Sequence, residues 1–178
     1  MSKAIRNQYE DLGVEGYYEK YGKDYTNPHF DQIKALLINN QHRVNYQNVL
    51  DFCCGAGEVT QVVQSLGFNS ITGSDPYTQE AYTQHTQLPC ETWSFEWVMK
   101  NGLPVTYSSI ICSFALHLCP DEILFPVTYQ LFQATSQLVI ITPHKRPALE
   151  KYENFKLDWE DHVLTARGKQ VRMKAYSN

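Results

Sequence analysis

No apolar run in the chain approaches the ~18 residues that a membrane-spanning helix needs. The opening Met-Ser-Lys-Ala-Ile-Arg also lacks the apolar core of a signal peptide. The five cysteines, Cys53, Cys54, Cys90, Cys112 and Cys119, form no CxxC pair and no Cys/His cluster of zinc-like spacing. Their number is odd, and Cys53 and Cys112 sit in apolar runs, so they read as buried reduced thiols and not as a disulfide framework. These absences point to a cytoplasmic protein in a reducing compartment, with no metal and no membrane partner. Cations are in the minority, 15 Lys and Arg against 19 Asp and Glu, and the net charge of −4 argues against broad electrostatic binding to nucleic acid. No repeat, low-complexity tract or linker divides the 178 residues. That is about one domain's length, enough to bury a core, and the chain is expected to work as a monomer.

What is present alternates. Asn27-Pro28 reads as a helix N-cap followed by proline at the first helical position, and Phe30, Ile33, Leu36 and Leu37 continue at helical spacing, giving a helix over 28–39. Strands follow at 48–52, 70–74, Cys90 to Trp93, 108–113 and 137–142. Helices are expected between them at about 58–66, 77–84, from Phe95 through Met99, and at 120–134. Short apolar strands separated by helices mean a parallel sheet covered on both faces. From Phe155 the pattern changes to strict alternation, with a turn at Arg167-Gly168-Lys169, which is a hairpin. The expected fold class is α/β: a doubly wound, mostly parallel seven-stranded sheet with a C-terminal antiparallel hairpin. One domain, 1–178, is expected, divided into an N-terminal cover and helix (1–47), a ligand-binding core (48–142) and a loop with the terminal hairpin (143–178).

The strongest local signal is Val49-Leu50-Asp51-Phe52-Cys53-Cys54-Gly55-Ala56-Gly57. A strand running into a glycine turn and then a helix makes a ligand cradle, because glycine lets backbone amides approach a ligand and the helix adds partial positive charge. Dinucleotide sites share this turn, but two details argue against a pyrophosphate. Asp51 would repel it and instead favour a ligand bearing an ammonium group. The third glycine of GxGxxG is replaced by Thr60. Asp75 then follows the second strand, about 20 residues after the turn, where a carboxylate can accept both hydroxyls of a ribose.

Residues 49–57 resemble the first motif of the class I S-adenosylmethionine-dependent methyltransferases, and Thr72-Gly73-Ser74-Asp75 resembles their second. Ser108 to Pro120 is similar to their fourth-strand motif and Leu138 to Thr142 to their fifth strand, so the likeness spans 28–142. It implies a methyltransferase whose cofactor is S-adenosyl-L-methionine. Carried onto this chain, it implies a donor site formed by Asp51, Cys53, Gly55, Gly57, Asp75, Pro76, Ser94, Phe95, Ser113 and Phe114. Cys53 departs from the pattern, standing where the family has its first glycine, and ordinary β-region dihedrals are expected for it.

For the methyl acceptor, exclusions come first. The Asn-Pro-Pro-aromatic motif of amine and amide methyltransferases is replaced by Ser113-Phe114-Ala115-Leu116, and the Pro89-Cys90 pair lies away from where a cytosine-attacking thiol belongs. His117 is a candidate base. His144, Lys145 and Arg146, in a loop stiffened by Pro143 and Pro147, could hold an acidic or phosphorylated acceptor. Tyr25 and His29 could lie over the donor, as part of a tyrosine-rich cover over 9–27 that orders on binding. Arg167, Lys169, Arg172 and Lys174 form a local basic run, either the solvated face of the hairpin or a docking surface for RNA. The expected function is methyl transfer to an unidentified small or medium-sized acceptor, with nucleic acid not favoured as a partner. The alternatives are a methyltransferase for RNA or protein, a non-catalytic donor-binding module and a nucleotide-dependent oxidoreductase.

Overall fold

The computed structural model describes Gly13, Gly16, Tyr17 and residues 20–178; the rest of the tyrosine-rich segment, including Tyr9 and Tyr18, lies outside the described residues. Seven strands form one sheet: β1 (Val49–Phe52), β2 (Ile71–Ser74), β3 (Cys90–Glu91), β4 (Ser109–Ser113), β5 (Leu138–Thr142), β6 (Lys156–Leu164) and β7 (Gln170–Ser177). Their spatial order is β3-β2-β1-β4-β5-β7-β6. The first five run parallel, while β7 pairs antiparallel with both β5 and β6. The helices are α1 (Phe30–Asn39), α2 (Glu58–Ser65), α3 (Gln79–Thr86), α4 (Phe95–Asn101) and α5 (Asp121–Ala134).

Period-two alternation along completely buried strands sends successive side chains to opposite faces. Leu50, Ile110 and Leu138 pack with Val98, Val127 and Leu131 from α4 and α5. Their neighbours Val49, Ile111 and Val139 pack with Ile33, Leu36 and Leu37 of α1 and Val59, Val62 and Val63 of α2. Both faces are thereby dry, which is why these strands read as continuous apolar runs. No described helix is long and apolar enough to cross a membrane.

Three elements depart from the sequence reading. The helix expected at 77–84 lies at Gln79–Thr86. The first helix starts at Phe30 and not at Pro28, because Asn27 closes a tight turn: its side chain accepts from the His29 amide at 2.9 Å and its carbonyl from the Phe30 amide at 3.2 Å. The third strand is two residues long, paired only with Gly73 and Ser74, and Trp93 leaves it to pack in the core. Gly73 is required where it stands, since a Cβ there would come within 2.2 Å of the Tyr82 ring, which lies across β2 from α3.

Candidate functional site

The strand order reverses direction between β1 and β4, and the carboxyl ends of β1, β2 and β4 open there on a cavity of about 330 Å³. A crevice at such a switch point is the general ligand site of open parallel sheets. Its floor is Cys53, Cys54 and Gly55; one wall is Asp75, Pro76 and Tyr77 after β2, and the next is Ser94, Phe95 and Glu96. Ser113, Phe114 and Ala115 close it from β4, while Tyr25 and Asn27 border it from the N-terminal segment.

The glycine turn is built by hydrogen bonds from its neighbours. The Cys54 amide donates to the Ser74 carbonyl at 3.0 Å, tying the turn to β2, and Thr78 Oγ1 donates to the Gly55 carbonyl at 2.7 Å. Gly55 has φ +54, and an added Cβ would sit 2.9 Å from Tyr25 Cε1, so the space above it is bounded by the Tyr25 ring. Cys53 does not adopt β-region dihedrals as expected; its φ is +57. The turn keeps the left-handed geometry that glycine adopts freely, and the cysteine bears a strain of roughly 1–2 kcal/mol. Phe114 shows the same feature at the end of β4, with φ +55. It is pinned by its amide donating to the Ile141 carbonyl at 2.7 Å and by the His29 ring stacked at 4.9 Å.

Asp75 is buried, and its Oδ1 accepts from the amides of Tyr77 (2.9 Å) and Thr78 (3.2 Å). Its Oδ2 accepts from the Gly55 amide at 3.3 Å, and the residue lines the cavity. Burial raises its pKa, and these amides partly offset the rise.

Asp51 is placed differently from the ligand role read in the sequence. It is completely buried and does not line the cavity. Its Oδ2 accepts from the Thr60 amide at 3.1 Å and from Thr60 Oγ1 at 2.8 Å, and that hydroxyl also meets Tyr82 Oη at 3.1 Å. Burial pushes its pKa up to about 8. Gly57 likewise faces away from the cavity, at φ +83, where a Cβ would lie 2.4 Å from Thr86 Cγ2.

Of the remaining candidates, Ser94 caps α4 by accepting from the Trp97 amide at 3.2 Å, and Phe95 packs edge-on against Phe52 at 5.8 Å. His117 does not line the cavity; its ring lies 4.4 Å from that of His144. Its Nδ1 is buried with no hydrogen-bond partner among the described residues, and burial, then His144 and Arg146, lowers its pKa to about 4. His144, Lys145 and Arg146 are exposed, and Arg146 is paired with Asp121. The cavity also gathers residues that the sequence reading passed over: Asn27, Cys54, Glu58, Tyr77, Glu96, Leu118 and Pro120. A helix-first residue such as Glu58 carries no motif, although a carboxylate at a helix N-terminus is itself a recurrent signal.

The basic run is partly neutralised within the molecule. Lys174 is buried between Glu150 and Glu160, at 3.6 and 3.8 Å, and Arg172 is hydrogen-bonded to Gln170. The described cysteines are all free, with Cys54 and Cys90 sulfurs 3.5 Å apart.

A seven-stranded sheet of this order, with its last strand inserted antiparallel and its crevice at the glycine turn, is the class I methyltransferase fold. No family model matches the chain. An uncharacterised protein of Schizosaccharomyces pombe is 29% identical over 192 residues, covering 83% of this chain and 77% of its own. The magnesium protoporphyrin IX methyltransferase of Synechocystis with bound S-adenosylmethionine is similar at a TM-score of 0.65 and 16% identity, covering 98% of this chain and 95% of that one. A ribosomal-protein methylase of Lactobacillus delbrueckii reaches 0.61 at 18% identity, over 86% and 80% of the two chains. An rRNA methylase of Escherichia coli reaches 0.54 at 16% identity, over 74% and 57%. A porphyrin, a protein and an RNA are thus methylated on one fold, so the fold by itself selects no acceptor.

Proposed function

We propose that the chain is an S-adenosylmethionine-dependent methyltransferase acting on a small or medium-sized acceptor. The observation that carries this reading is the coincidence of Gly55, Asp75, Phe95 and Phe114 on one cavity at the β1/β4 switch point. The S-adenosylmethionine bound in the similar magnesium protoporphyrin IX methyltransferase has the parts these residues suit. Asp75 Oδ2 accepts the ribose hydroxyls, Pro76 and Phe95 flank the base, and the unsubstituted Gly55 lets the backbone approach the sulfur-bearing chain.

When bound, the sulfonium supplies an already activated methyl group for in-line displacement. The residues present therefore have to align and exclude water more than to activate. Ser113, Phe114 and Ala115 form the wall towards the acceptor, and the Tyr25 ring covers the turn. His117 has no role as a base in this account, since it lies off the cavity and a pKa near 4 makes it a weak proton acceptor. The ion pairing of Lys174 with Glu150 and Glu160 removes one cation of the hairpin's basic run and so weakens the case for an extended polyanion as acceptor. Incubating the protein with methyl-labelled donor and, separately, metabolite pools, total RNA and protein extract tests the reading; label is expected in the metabolite fraction. Donor binding without transfer to any fraction would favour a binding module instead.

A further inference from the structure

The donor reading leaves a positive charge to be placed. A methionine-derived chain carries an α-ammonium group, and an ammonium entering a buried cavity needs a carboxylate or several carbonyls. Asp51, the acid that the sequence pattern offers, is sealed from the cavity and already bound to Thr60. Among the described residues three carboxylates line the cavity: Glu58, Asp75 and Glu96. Glu96 is exposed. Asp75, at the end of β2, is assigned to the ribose hydroxyls in the reading above.

Glu58 is the remaining one, and its surroundings fit. It is the first residue of α2 and is 6% exposed. Its Oε1 accepts from the Asn27 amide at 2.7 Å, which fixes the side chain over the turn. Its Oε2 lies 3.4 Å from where a Gly55 Cβ would stand, beside the Tyr25 ring, and the residue lines the cavity. Among the described residues no salt bridge reaches it. A buried carboxylate on a cavity whose described lining residues include no Lys, Arg or His is complementary to a cation that arrives with a ligand.

Resting on the donor reading above, we propose that Glu58 is the counter-ion for the α-ammonium group of the donor, and that it therefore sets the preference for a complete aminoacyl-bearing nucleoside over a bare thionucleoside. Asp75 and Glu58, on either side of Gly55, then read the two ends of one ligand.

The test compares two ligands that share the adenine, ribose and sulfur but differ in the amino-acid end: S-adenosylhomocysteine and 5′-methylthioadenosine. Both are titrated calorimetrically into wild type and Glu58→Gln, which keeps an acceptor for the Asn27 amide. Expected is a loss of S-adenosylhomocysteine affinity on the order of tenfold to a hundredfold, with methylthioadenosine affinity unchanged. Equal losses for both ligands would make Glu58 a structural residue of the turn and overturn the proposal. So would an unchanged affinity for S-adenosylhomocysteine. Should Glu58→Gln not fold, Glu58→Asp keeps the charge but shortens its reach; it is expected to lose affinity selectively for S-adenosylhomocysteine, by a smaller factor, and an equal loss for both ligands would again overturn the proposal. Wild type binding neither ligand would instead sink the donor reading itself, and this inference with it.

Discussion

Asp75 accepts the Gly55 amide at 3.3 Å, so the end of β2 and the turn after β1 act as one unit at the edge of the cavity. Replacing Asp75 with alanine should leave two ribose hydroxyls unpaired and weaken S-adenosylhomocysteine binding by about 2–3 kcal/mol. Calorimetry on both proteins measures this. The melting temperature should fall as well, because the Tyr77, Thr78 and Gly55 amides lose their acceptor. Unchanged affinity would remove Asp75 from the site.

The two glycines of the turn should fail in different ways. Gly55→Val places a branched side chain against Tyr25 in the ligand's space and is expected to abolish donor binding. Gly57→Ala meets Thr86 and Tyr82 outside the cavity, at φ +83, and should cost stability of roughly 2 kcal/mol or more while sparing affinity in whatever remains folded. Denaturant melts and ligand titrations on both variants separate the two effects; tight binding by Gly55→Val would refute the cradle.

Asp51 makes stability depend on pH in a defined direction. Below about 4 the carboxyl is protonated in both the unfolded and the folded chain, and nothing is lost. Between there and about 8, its folded-state pKa, the unfolded chain releases the proton and the folded chain holds it, so stability falls as pH rises. The raised pKa values of Glu58 and Asp75 act in the same direction. Asp51→Asn retains an acceptor for Thr60 and should flatten the slope, leaving the variant more stable than wild type at pH 8. A slope that is unaltered from pH 4 to 8 contradicts the burial argument.

Lys174 is a structural cation. Its side chain is 7% exposed, whereas those of Glu150 and Glu160 are 38% and 40% exposed, so solvent screens part of the attraction. Lys174→Ala is expected to cost about 1–2 kcal/mol in a denaturant melt. It should leave any weak RNA affinity unaltered in a filter-binding titration. A clear drop in RNA affinity would restore the hairpin as a docking surface.

Much of the fold was legible because strand burial on both faces leaves apolar runs, as at Ile110-Ile111-Cys112 and Val139-Ile140-Ile141, and because the change to alternation after Phe155 marks the antiparallel pair. The positions of Gly55 and Asp75 on the cavity could also be read, since a glycine turn and a strand-end acid are local features. Direction of side chains was not. Asp51 and Glu58 are both acids flanking the turn, and only the three-dimensional path sends one to Thr60 and the other into the cavity. Cys53 misled for a related reason. Its preferred dihedrals are those of an isolated residue, and the ties of Cys54 to Ser74 and of Gly57 to Cys54 impose the left-handed turn regardless.

The central claim is that this cavity binds a sulfonium nucleoside donor. Calorimetric titration of the purified wild-type chain with S-adenosylmethionine, S-adenosylhomocysteine and, as a control, a nicotinamide dinucleotide tests it most directly. The account predicts a single saturable site of similar, micromolar affinity for the first two and no heat with the dinucleotide. No binding of either sulfur nucleoside, or tighter binding of the dinucleotide, would contradict it.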